Sequence, residues 1–157
     1  MQLRPLATAA AVLALAVPLS SCGFNYATDR DYTPGSGANN RDAVVDVLSA
    51  VVVSSTEDSG TLVASLSNND ENNEKSFTGV SGDEGETITA AEFEPIPIPP
   101  GGIVNLAEPA AGIVLTGDFA AGDFVPLAVD FGDGERVTLN VPVVPDDTGY
   151  WEGMDAS

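Results

Sequence analysis

An all-β sandwich is the fold this sequence predicts, on three observations. Beyond residue 41, short runs rich in Val, Ile and Thr alternate with clusters of Gly, Asn, Asp and Pro, which is the spacing of strands and turns. No segment of that region carries apolar residues at the three- and four-residue spacing of an amphipathic helix. Residues 124–144 form two alternating runs on either side of Gly132-Asp133-Gly134, the pattern of a β-hairpin.

The chain before the sandwich has its own logic. Residues 1–21 carry Arg4 and no acid, then an Ala/Leu/Val run that ends near Leu19, as in a secretory signal peptide. The run is too short to cross a bilayer as a helix, which takes about 20 apolar residues, and Pro18 interrupts it. Leu19-Ser20-Ser21-Cys22 matches the bacterial lipobox. That match implies cleavage after Ser21 and lipid on the Cys22 thiol, leaving a protein anchored to the membrane and facing the extracytoplasmic side. Each buried CH₂ of an acyl chain contributes about 0.8 kcal/mol, so two or three chains hold a domain stably. Residues 22–41 are polar and rich in Gly, Asn and Asp, and read as the lipidated Cys and a flexible linker.

Residues 42–145 are assigned to the sandwich. Residues 44–53 are dense in valine and read as a buried strand; 61–67 alternate, with Leu62, Ala64 and Leu66 on one face. Asn68-Asn69-Asp70-Glu71-Asn72-Asn73 is a solvated turn, across which residues 75–80 are expected to pair back. Residues 82–86 make a second acidic turn, and 87–93 read as a weak strand or a single helical turn. Pro95, Pro97, Pro99 and Pro100 remove donors around Ile96 and Ile98, which confines that stretch to an edge or a crossover. Residues 103–107 and 113–116 are further strands. In the hairpin, a three-residue loop 132–134 sets Val129 against Val137, Leu127 against Leu139 and Val125 against Val141. A two-residue turn would oppose apolar to polar faces, so the first register is expected, with Gly134 at positive φ. Residues 146–157 form an acidic C-terminal tail.

Composition narrows the function. The chain has 24 acids, five bases, no histidine and a net charge of −19. Removal of the leader takes Arg4 and no acid, leaving Arg30, Arg41, Lys75 and Arg136 and a net charge one unit more negative. Such a surface repels nucleic acid and anionic headgroups. The single cysteine is consumed by lipid, so no disulfide forms within the chain and stability rests on the core.

Taken together, TLVASLSNNDENNEKSFTGVSG, IPPGGIVNLAEPAAGIVLTG and FAAGDFVPLAVDFGDGERVTLNVPVV resemble the PCu(A)C-type periplasmic copper chaperones over about residues 42–144. The resemblance implies a cupredoxin-like, Ig-like β-sandwich in the cell envelope. It also implies a Cu(I) site of two His and several Met. The last pair of ligands falls near Ile113 and Leu115, and the earlier ones near Val80 and Ala90 or Ala91. None of these residues is a ligand. Cu(I) is a soft ion that takes thioether, thiolate or imidazole donors, and past residue 22 only Met154 offers one. The expectation is therefore a copper-chaperone-like fold with no metal ligand set, no cofactor and no catalytic residue.

Other motifs carry less. Asp147-Thr148-Gly149 spells the aspartic-protease triplet but occurs once, whereas that chemistry takes two aspartates in a dry cleft. The acidic turns at 70–74 and 83–86 offer hard oxygen donors without the spacing of a Ca²⁺ loop, and read as solvated turns. Tyr150 and Trp151 are expected to dock on the sandwich, the other reading being a partner. Two functions remain. The favoured one is a non-catalytic envelope lipoprotein that binds another protein or envelope component. The alternative is a protein handling copper or a hard cation through carboxylates and Met154.

Overall fold

The computed structural model describes residues 37–147 and 149–157. The leader, Cys22 and the linker to residue 36 lie outside the described residues. Ten strands follow one another: β1 (Ala38–Asn40), β2 (Val45–Thr56), β3 (Ser59–Asn68), β4 (Lys75–Gly82), β5 (Thr89–Ala90), β6 (Ile96–Ile98), β7 (Ile103–Asn105), β8 (Ile113–Thr116), β9 (Phe124–Phe131) and β10 (Arg136–Pro145). A single 3₁₀ turn, Gly149–Trp151, is the one helical element among the described residues. The all-β expectation holds.

Strands pair in the order β2-β10-β9-β4-β5-β8-β3, and the β2–β3 hairpin joins the two ends of that path, so the sandwich is closed along both sides. β10 runs parallel to β2, with Val143 opposite Val52. β1, β6 and β7 each add to one flank. Between the layers lie Phe77, Leu66, Ile98, Ile113, Leu115 and Leu127, all essentially without solvent contact.

β2 shows how a run of valines is buried on two faces. Val45 and Val47 point into the main core. A bulge between Leu48 and Val51, with Ser49 at φ 53°, inserts one residue, so that Ala50 and Val52 point inward beyond it. Val51 and Val53 thereby face outward, where with Val63 of β3 they form a second cluster. The C-terminal segment covers it: Trp151 and Met154 pack on these valines. The tail expected at 146–157 is thus part of the packed structure, and Met154 is half-buried. Tyr150 remains exposed while Trp151 docks.

The β9–β10 hairpin has the register expected from its alternation, with Val137 opposite Val129, Leu139 opposite Leu127 and Val141 opposite Val125. Gly134 sits at φ 87°, which only glycine adopts without strain. Two expectations are corrected. β4 does not pair back on β3; it pairs with β9, β5 and β6. The polar run before it is too long and too internally bonded for a tight turn. Asp70 accepts from the Asn72 and Asn73 amides at 2.9 and 3.1 Å, and the Asn68 side-chain amide donates to the Asn73, Ile98 and Pro99 carbonyls. These bonds carry the chain across the end of the sandwich. The linker also ends earlier than expected, because Ala38–Asn40 is already a strand on β2. Gly37 abuts the Ala50 carbonyl so closely that any Cβ there would clash.

Candidate binding cleft

The positions at which the resemblance places metal ligands are brought together by three neighbouring strands. β5 bridges β4 and β8, with Ser81 opposite Thr89 and Ala90 opposite Leu115. The Ala91 amide continues the contact by donating to the Val114 carbonyl at 2.8 Å. Val80, Ile113 and Leu115 are buried in the main core, and Ala90 packs against it. Their side chains are saturated hydrocarbon and have no lone pair to offer. Met154 belongs to the separate cluster outside β2 and β3, so the fold does not bring it to these positions.

What the fold does build here is a break in the sheet. β6 pairs with β4 at Lys75, Ser76 and Phe77, and β5 pairs with it at Ser81. Between them β4 bulges at Phe77–Gly79 on its β9 side, and Val80 adjoins the single β4–β5 bridge. The connection from Ala90 to Glu94 stands away from this stretch and leaves an open cleft of about 570 Å³. Its residues alternate: the Phe93 ring turns inward onto Phe77, centroids 5.0 Å apart, while Glu92 and Glu94 are exposed. Phe77 in turn meets Phe131 at 6.3 Å. The cleft is therefore lined by Thr78–Val80 on one side and Ala90–Glu94 on the other, with two carboxylates at its rim.

On the β9 side of the same strand, the Thr78 hydroxyl donates to the Asp130 carbonyl at 3.0 Å. Arg136 donates to the Asp130 carboxylate at 2.6 and 3.0 Å. That bond raises the Arg136 pKa above its ordinary value. Arg136 is thereby committed to Asp130. Among the described residues no ion pair involves Glu92 or Glu94.

The other acidic clusters are used structurally. Asp70 is held below the usual carboxylate range by hydrogen bonds from the Asn72 amide and the Asn73 side chain. The 83–86 turn closes through the Glu86 amide and the Asp83 carbonyl. Among the described residues no three His, Cys, Asp or Glu side chains are arranged to share a metal ion. A denser polar site lies at the C-terminal segment. The Asp155 carboxylate accepts from the Ser55 amide at 2.8 Å, the Ser55 hydroxyl at 2.6 Å and the Thr61 hydroxyl at 3.0 Å. Burial pushes its pKa up, but bonds from Ser55 and Ser157 outweigh that and hold it at about 2.

Reading the sequence missed this latch and the cleft. The alternation Glu92-Phe93-Glu94 was a usable signal for the cleft, since a lone aromatic between two acids in an exposed connection must turn inward. Nothing local marks Asp155, whose partners lie about a hundred residues away in the chain.

No family model matches this chain, and no curated protein matches it. Among solved structures it is similar to the copper-bound PCuAC domain from PmoF2, at 16% identity and a TM-score of 0.54, over 68% of this chain and 97% of that one. The apo PmoF2 PCuAC domain matches at 16% identity and 0.54, over 70% and 97%. The apo PCuAC domain from PmoF1 matches at 15% identity and 0.52, over 68% and 98%. At these identities the likeness concerns the fold: this chain has the β-sandwich of the PCuAC domains.

Proposed function

We propose that this chain is a non-catalytic binding protein of the cell envelope, anchored by lipid on Cys22, which uses a PCuAC-like sandwich without a copper ligand set. The observation that carries the reading is the chemistry at Val80, Ala90, Ala91, Ile113 and Leu115. The fold brings these strand positions together; Val80, Ile113 and Leu115 pack the core, Ala90 packs against it, and Ala91 is exposed with only a methyl group to offer. A Cu(I) ion at the place the resemblance implies would meet no soft donor here. The residues present do not fit the ion. Catalysis has no support in the cleft either, where Glu92 and Glu94 are exposed and the Thr78 hydroxyl is spent on the Asp130 carbonyl. The lipobox supports the anchor, and no helix among the described residues is long and apolar enough to cross a membrane.

A carboxylate-based cation site is the competing reading. The Asp70 oxygens are engaged in their own turn and those of Asp155 in the latch, which weighs against it. Titration calorimetry of the full chain with Ca²⁺, Mg²⁺ and Zn²⁺ tests this. The binding-protein reading predicts weak, non-saturating heats from counterion exchange. A saturable event at one equivalent with a Kd below about 10 μM, the range of dedicated sites, would favour cation handling instead.

A further inference from the structure

The outward valines of β2 and β3 are covered by a short segment at the end of the chain, and that cover contains a single oxidisable sulfur. Val51, Val53 and Val63 point away from the main core, and what packs on them is Ala107, Val144, Trp151 and Met154. Trp151 and Met154 come from residues 149–157, and both are half-buried. Polar bonds tie the same segment down. The Met154 amide donates to the Asp146 carboxylate at 2.9 Å and the Ala156 amide to the Thr61 hydroxyl at 2.7 Å, while Asp155 accepts from Ser55 and Thr61. Beyond residue 1, Met154 is the only methionine, and Cys22 carries the only other sulfur.

This thioether faces an opening as well as the valines. Beside it lies a cavity of about 160 Å³, bounded by Gly153, Met154 and Asp155 on one side and Val63, Ala107 and Ala110 on the other. A water molecule takes about 30 Å³, so the space admits a reagent as small as hydrogen peroxide. The seat itself has no place for a polar atom. The side chains of Val51, Val53, Val63, Ala107 and Val144 are hydrocarbon, and the Ser55 and Thr61 hydroxyls already donate to Asp155. The Trp151 indole is the one side-chain donor in the cluster, but it belongs to the same segment, so a bond to it would not hold the segment to the sheet. A sulfoxide oxygen is a strong acceptor. Seated against these valines it stays unpaired, and in water it is hydrated, so oxidation favours release.

We propose that Met154 is a redox-responsive modification site, whose oxidation to the sulfoxide by a peroxide releases residues 149–157 and uncovers Val51, Val53 and Val63. A sulfur lone pair attacks one peroxide oxygen, and the S–O bond forms as the O–O bond breaks. The departing hydroxide takes the proton of the transferred oxygen and leaves as water. Sulfur is oxidised by two electrons and the peroxide is reduced. Methionine sulfoxide reductases run the change backwards, so the device is reversible. The inference goes beyond the binding-protein reading and stands on different residues.

Trp151 is the only tryptophan in the chain, so its fluorescence reports on the segment. The full chain in detergent micelles is treated with hydrogen peroxide until peptide masses show one oxygen added at Met154. Trp151 emission is then expected to move to the red. Exchange of the Met154 and Ala156 amides, which bond to Asp146 and Thr61, is expected to quicken at least about tenfold. A methionine sulfoxide reductase should reverse both. Met154→Leu keeps the apolar volume and removes the sulfur, so it should match the parent's emission and ignore peroxide. Met154→Gln puts a polar group in the seat and should shift the emission without peroxide, with thermal melts establishing that both variants fold. Sulfoxide formed with Trp151 and both amides unmoved would overturn the proposal, as would an unmoved Met154→Gln. So would an equal peroxide response in Met154→Leu, or a sulfur that stays reduced where free methionine is oxidised. Retained copper would remove the binding-protein reading and leave this inference standing, whereas an unresponsive Trp151 would remove this inference alone.

Discussion

Asp155 joins the last residues to the sandwich through one carboxylate. Its oxygens accept from Ser55, Thr61 and Ser157, and the Ala156 amide donates to the Thr61 hydroxyl at 2.7 Å. Because its folded pKa is depressed to about 2, the charged form is favoured by folding. The stability it adds is fully present above the unfolded carboxylate value of about 3.9 and is lost as pH falls through the folded one. Asp155→Asn should therefore cost about 1 kcal/mol at neutral pH, a figure that allows for its partial solvent contact. The gap between variant and parent in urea melts should narrow as pH drops from about 4 toward 2. A gap unchanged over that range would mean that the carboxylate's charge does not hold the segment. Gly134 and Leu115 lie at the other extreme of legibility. Turn chemistry marks the first in the sequence, and an apolar residue in an alternating strand marks the second, whereas Asp155 depends on partners remote in the chain.

Among the elements, the β9–β10 hairpin was the most legible, because alternation and a glycine-bearing loop admit one register that matches apolar faces. Leu127 is fully buried, so Leu127→Ala should cost about 2–5 kcal/mol. Leu139 opposite it is only half-buried at the margin of the core, so Leu139→Ala should cost less, about 1–2 kcal/mol. Thr138 is exposed on the other face, and Thr138→Ala should cost under about 1 kcal/mol. Urea melts that gave equal costs for Leu127→Ala and Thr138→Ala would contradict the assignment of faces. The partner of β4 was less legible. Residues 75–80 read as a strand, but the pairing with β9 rather than β3 goes with the Asn68 and Asp70 bonds that shape the long connection before it. β1 escaped notice because Ala38-Asn39-Asn40 has no strand propensity. It is held by pairing to β2 and by the Asn40 side chain donating to the Thr138 carbonyl at 3.2 Å. The outward valines of β2 stood out as a buried run; what buries them is a segment whose composition resembles a solvated tail.

For the whole molecule, the anchor and the proposed lack of a copper site each make a prediction of their own. Cys22→Ser should move the protein from the membrane fraction to the aqueous or unprocessed fraction, since it removes the only thiol that lipid can take. Unchanged detergent partitioning, with an unchanged mass of the N-terminal peptide, would contradict the anchor. The sandwich itself is that of the PCuAC domains, built here from a core that runs unbroken through Val80, Ile113 and Leu115. Met154 is a single thioether packed against Val51, Val53 and Val63, and one weak donor does not make a site. Copper is therefore the decisive ligand. Titration of the full chain with Cu(I) against a colorimetric chelator of micromolar affinity measures it directly. The predicted result is that the chelator takes all the copper from the first addition onward. One equivalent retained by the protein would contradict the account and restore a metal-carrying role.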